Sequence, residues 1–113
     1  MAHDLSYPRT ATLDASLEDQ WTLHHMLQDR LEREAAAEGP SPLPPQLAEV
    51  ARAFEALDTG DRRFTVPQLE AIRALLAEYR SSPAWEDDRE SIERLHDEFG
   101  EMLDRRRTAP LAD

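Results

Sequence analysis

The chain has 113 residues and a mass of 12.9 kDa, the size of one domain able to bury about two thirds of its unfolded surface around a single core. Its 24 acidic residues against 13 basic ones give a net charge of −11, which argues against a nucleic-acid backbone or an anionic membrane surface as partner. Cysteine is absent, so disulfides are excluded; no apolar run approaches the ~20 residues of a membrane span, and Met1 to Asp14 lacks the basic-then-apolar order of a signal peptide, so a soluble cytoplasmic chain is expected.

Residues 1–15 show no clear period and contain Pro8, which predicts a loosely tied N-terminal arm. The domain proper is expected over residues 16–107. A first helix starts at Ser16, where a hydroxyl cap precedes Glu18 and Asp19 in the positive first turn. Leu17, Trp21, His24, Leu27 and Leu31 recur at helical spacing, with Leu23 and Met26 widening the stripe. Gly39 and Pro40 end this helix near Glu38, and Ser41 to Pro45 reads as a stiff extended linker. Leu47, Val50, Ala51, Phe54 and Leu57 share one face of a second helix, with Gly60 as its stop.

Thr65 to Gln68 has the Thr-x-x-Gln form of a capping box, with Pro67 tolerated in the first turn, and Leu69, Ile72, Leu76 and Tyr79 mark the third helix. Ser81, Ser82 and Pro83 break it and start a fourth, whose Trp85, Ile92, Leu95, Phe99 and Leu103 recur over about 25 residues. Gly100 weakens it near its end; Arg105, Arg106 and Arg107 suit its negative C-terminus, and residues 108–113 form a frayed tail. A strand of a residue or two is conceivable only at Phe64. The expected fold is therefore all-α, a four-helix antiparallel bundle with long first and fourth helices and short second and third helices. At ~34 to 37 Å the long pair overhangs the short pair at ~20 to 22 Å, and apolar surface left on that overhang would be met by a two-fold-related copy. Trp21 and Trp85, the largest apolar groups on the long helices, are the candidate anchors of such a contact.

All thirteen basic residues are arginine, where ordinary composition would supply roughly six lysines. Loss of lysine together with excess carboxylate points to a densely hydrated acidic surface suited to molar salt, where the Debye length of about 3 Å screens self-repulsion.

The chemical motifs are sparse. Glu93 and His96 have the Glu-x-x-His spacing of di-metal bundles, but such sites need that motif on two helices, and only one copy is present. His25 and Asp29, one turn apart, form a second two-ligand face. Neighbouring His24 lies on the apolar stripe and reads as a partly buried, hydrogen-bonded histidine. The loop Asp58 to Thr65 superficially looks like a calcium loop, but counting from Asp58 puts Gly60, Arg62, Arg63 and Leu69 at liganding or turn positions, so calcium is not expected. Reading the second and third helices as a helix-turn-helix fails on the linking turn, which from about Asp58 to Val66 exceeds the 3 to 4 residues of that motif, and on Glu70 and Glu78, which would face phosphate. No thiol, nucleophile elbow or glycine-rich phosphate loop is present, so no catalytic residue and no cofactor are assigned.

The run Trp21-Thr-Leu-His-His-Met-Leu-Gln-Asp-Arg-Leu-Glu, with Leu57-Asp-Thr-Gly-Asp-Arg-Arg-Phe-Thr and the helix after it, resembles a group of small acidic haloarchaeal helical proteins of unknown function. The resemblance covers about Leu13 to Tyr79 and implies a salt-adapted helical fold; it carries no activity or ligand. The expectation is a non-enzymatic interaction protein, an adaptor or regulator, homodimeric through its long helices or bound to another protein. The alternatives are a metal-binding protein or enzyme centred on Glu93 and His96 with His25 and Asp29, and, third, a DNA-binding regulator.

Overall fold

The computed structural model describes residues 10–36 and 45–108. In chain order these form β1 (Thr10–Thr12), α1 (Leu17–Ala36), α2 (Pro45–Asp58), β2 (Arg63–Thr65), α3 (Val66–Arg80), a 3-10 turn (Pro83–Asp88) and α4 (Arg89–Thr108). Each helix packs on its neighbour in the chain, and α1 closes the ring against α4. The result is the expected four-helix antiparallel bundle, with 20 residues in each of α1 and α4 and 14 and 15 in α2 and α3. No described helix is long and apolar enough to cross a membrane. The Gly39–Pro40 stop lies outside the described residues, as does the expected linker of Ser41 to Pro45 except for Pro45, which is the first residue of α2, and the expected tail 108–113 except for Thr108, which is the last of α4.

The helix ends follow from local chemistry. Ser16 Oγ accepts from the Asp19 amide at 3.1 Å and caps α1. At the end of α2, Gly60 takes φ +92°, its amide donates to Leu57 O and the Asp61 amide to Ala56 O, both at 2.9 Å. These paired bonds close the last orphan carbonyls, and the left-handed backbone they need is one that glycine adopts without strain. Thr65 then ends β2 and caps α3: its hydroxyl accepts from Gln68 N while its own amide donates to Gln68 Oε1 at 2.8 Å, the reciprocal box read from the sequence. The fourth helix begins later than expected. Trp85 sits at φ −114°, ψ 25° within the 3-10 turn, outside helical geometry, and α4 starts only at Arg89.

The N-terminal segment and the rotation of α1 also differ from expectation. The segment read as a loose arm is tied down from Thr10 onward: β1 pairs antiparallel with β2, Ala11 opposite Phe64, and Leu13 donates its amide to Arg62 O at 2.8 Å while its side chain is fully buried. The guanidinium of Arg106, on α4, also donates to the Thr10 carbonyl. Three strand residues are too few to show a period, so the sequence hides this. The second change is the rotation of α1. Its buried residues are Asp19, Thr22, Leu23, Met26 and Leu27, while Leu17 and Trp21 face out. Two polar residues, Asp19 and Thr22, therefore hold buried positions that lie off the stripe of Leu17, Trp21, His24, Leu27 and Leu31.

Asp19 can be buried because it is paired. Arg94 of α4 grips it with two parallel bonds, Nε to Oδ2 at 3.0 Å and Nη2 to Oδ1 at 2.9 Å, and Nη2 also reaches Ser91 Oγ at 3.1 Å. The carboxylate is 8% exposed, the guanidinium mostly exposed. The hydrogen bond from Arg94 first, then Ser91, holds the Asp19 carboxyl below its ordinary 3.8 against the opposing effect of burial. Above this clamp the core continues through Leu23, Met26 and Leu27, with Phe64 and Phe99 meeting at 5.8 Å between ring centroids.

Two outcomes follow from these contacts. Leu13→Ala is expected to cost about 3 kcal/mol in urea unfolding, the usual penalty for a fully buried leucine; a cost near zero would show that the segment does not belong to the core. For Asp19 the folded value is lowered, so its contribution is present above the unfolded value and lost as pH falls through the folded one. The stability advantage of the wild type over Asp19→Asn should therefore shrink as pH is taken below about 4; parallel pH profiles for the two proteins would contradict the clamp.

Candidate functional site

A helix turns about 100° per residue, so Leu17 and Trp21, two residues before and after Asp19, both stand about 160° from it, on the side away from α4. They are the large hydrophobic side chains that remain exposed among the described residues, Leu17 at 69% and Trp21 at 58%. Beside them the C-terminal end of α2 leaves an open groove of about 250 Å³, lined by Leu17, Trp21 and His24 of α1 and by Leu57, Asp58 and Gly60 across it. The exposed apolar ridge of Leu17 and Trp21 thus sits in the first turns of α1, beside the C-terminal end of α2.

His24 forms the polar edge of this groove. Its ring lies 4.8 Å from Phe54 and, edge-on, 5.6 Å from Trp21 between centroids. Its Nε2 stands 2.9 Å from Asp58 Oδ1. A carboxylate only accepts, so Nε2 carries the hydrogen. The Nδ1 atom is buried without a hydrogen-bond partner. His24 is thus the partly buried, bonded histidine expected, and its bond ties α1 to the end of α2, fixing the Trp21 side of the groove.

The other residues singled out in the sequence are placed apart from this ridge. Trp85 is half-buried, edge-on to Tyr79 at 5.2 Å, and so closes the far end of the bundle instead of projecting from it. His25 is exposed on α1, and Asp29, one turn on, already has two partners: the Tyr79 hydroxyl donates to its Oδ2 at 2.7 Å, and Arg33 Nε lies at 2.8 Å. Burial first, then that bond to Asp29, pushes the Tyr79 phenol up to about 12, so it stays a donor throughout the neutral range. Glu93 is exposed on α4, and His96 is partly buried against α3. Among the described residues no group of three or more His, Cys, Asp or Glu converges as a metal site, so His25, Asp29, Glu93 and His96 are not brought together. In the loop after α2, Asp61 is taken up by Arg63, whose backbone amide, Nε and Nη2 all donate to it, at 3.0, 3.1 and 3.3 Å. That carboxylate serves the loop's own geometry. The link between α2 and α3 also contains β2, which a helix-turn-helix does not.

The sequence pattern does not mark Leu17 or the His24–Asp58 pairing as site features. The available signal was Asp19, Thr22, Leu23, Met26 and Leu27, which also recur at helical spacing. Choosing it over the apolar alternative requires accepting a buried carboxylate, which in turn requires a partner as distant as Arg94.

No curated protein and no solved structure matches the chain. A family model described as a family of unknown function, DUF7853, matches residues 13–100. The match runs from Leu13, where the buried core begins, through Gly100 in α4, and so takes in the ridge, the groove and the Asp19–Arg94 clamp. The chain belongs to the DUF7853 family, whose function is unknown.

Proposed function

We propose that this chain is a salt-adapted interaction protein, an adaptor or regulator, that forms a homodimer through the outer face of α1. The observation that carries this reading is the exposure of Leu17 and Trp21 one turn apart on a single helix face. Each is large enough to have been used in the core, yet the Asp19–Arg94 pair turns both outward. An aromatic flanked by an aliphatic residue, next to an apolar groove, is the composition of an association hot spot. On this reading a second copy supplies the same surface, with Trp21 of one protomer entering the groove that Leu17 and Leu57 line on its partner.

The charge balance supports the salt dependence of this association. Two chains of −11 repel each other in dilute buffer, and the repulsion is screened in molar salt while burial of the apolar ridge is not weakened. Size exclusion with light scattering in about 3 M KCl should give a dimer. Trp21→Glu should retain helical circular dichroism and weaken association by about 30-fold or more, the effect of losing a hot spot of about 2 kcal/mol. A wild-type monomer at high salt, or a Trp21→Glu protein that dimerises as well as the wild type, would overturn the reading.

A further inference from the structure

On a chain dominated by carboxylates, α3 and α4 border an open groove of about 400 Å³ that Arg73 and His96 line together with Glu70. Arg73, Ala77 and Arg80 recur at i, i+4 and i+7 and so share one face of α3. Arg73 and Ala77 line the groove from that helix, and His96 lines it from α4. The Arg73 guanidinium lies against Gly100: a Cβ there would come within 3.0 Å of Nη2, 3.1 Å of Nε and 3.2 Å of Cζ. In that position its Nε is buried and has no hydrogen-bond partner. Nε and a neighbouring Nη are the two donors with which arginine takes both oxygens of a carboxylate or phosphate, and one of the two is left without an acceptor.

We propose that the α3–α4 groove is a binding site for a small oxyanion of the phosphate or carboxylate type, held by the guanidinium of Arg73 and steadied by Arg80 and the His96 ring. Because Nε is covered by α4, binding turns the guanidinium away from Gly100 into the groove, bringing both donors to the anion at once. Two carboxylates stand near. Glu70 lines the groove itself, and Asp97 Oδ1 lies 3.9 Å from His96 Nδ1. Neither one is hydrogen-bonded to Arg73 Nε. Burial first, then the charges of Arg73 and Arg80, hold the His96 imidazole below its usual 6.5 against the opposing effect of Asp97. An oxyanion between the arginines and the ring would offset that repulsion and raise it. This site lies on a different helix pair from the Leu17–Trp21 ridge and does not depend on dimerisation.

The test is an NMR titration of the histidine ring resonances with inorganic phosphate and, in a separate arm, with acetate, each replacing KCl at constant ionic strength. Exposed His25 is the internal control for bulk effects. The expected result is a saturable shift confined to His96, with its titration midpoint raised by roughly half a unit to one unit, and at least about tenfold weaker binding in Arg73→Gln. Tighter binding of phosphate than acetate assigns the site to phosphate-bearing compounds, and the reverse order to carboxylates. Arg80 is exposed, so Arg80→Gln, expected to weaken binding severalfold, carries the test if Arg73→Gln does not fold. His96 and His25 shifting in parallel without saturation, or affinity unchanged in the folded arginine variants, would overturn the proposal.

Discussion

The pairing of Asp19 with Arg94 is the constraint from which the arrangement of this bundle follows. A carboxylate that is 8% exposed is tolerated only with its oxygens satisfied, and the bidentate guanidinium with Ser91 beside it does this. Once Asp19 must face α4, the rotation of α1 about its own axis is fixed, because every later side chain follows at about 100° intervals. Leu23, Met26 and Leu27 enter the core, His24 falls toward α2 and Phe54, and Leu17 with Trp21 have nowhere to go but outward. One ion pair thus both closes the ring of helices and creates the exposed apolar ridge on the opposite side of α1.

The parts of the fold encoded by residues close in sequence were legible without the structure. The Thr65–Gln68 box, the Gly60 stop and the Ser16 cap each involve atoms within five residues of one another, and each forms as read. The apolar periods of α2 and α3 likewise matched their buried faces at Leu47, Val50 and Leu57 and at Leu69, Ile72, Leu76 and Tyr79. What escaped were features that depend on residues far apart: Arg94 beside Asp19, and Arg62 and Phe64 beside the segment around Leu13. A hydrophobic period counts apolar residues and is blind to a buried carboxylate, so it put Leu17 and Trp21 on one stripe with Leu27 and left Asp19 out. The same blindness hid the candidate site. Trp21 was identified as a candidate anchor on size alone, while the groove beside it required knowing that the end of α2 lies next to α1.

Arginine serves two purposes in a chain that lacks lysine. At Arg94 the planar fork matches a carboxylate edge to edge and makes a buried acid tolerable; at Arg73 a guanidinium packs against the bare backbone side of a glycine in α4. An ammonium has one nitrogen to offer and would satisfy neither geometry. Composition that reads at first as adaptation of the surface thus also supplies interior contacts.

The short β1–β2 pair joins Thr10 to Thr65, and this separation has a consequence for the order in which the molecule assembles. Closing a loop of about 50 residues costs entropy that local helical contacts do not, and three strand residues recover little of it. The helices, whose partners are mostly adjacent in the chain, can find one another first, leaving the N-terminal strand to dock against β2 and Leu13 to seal the core last. The amide of Leu13, bonded to Arg62 across that seam, is then the reporter of a local opening that leaves the bundle standing, and its hydrogen exchange would run ahead of the amides inside α3 and α4.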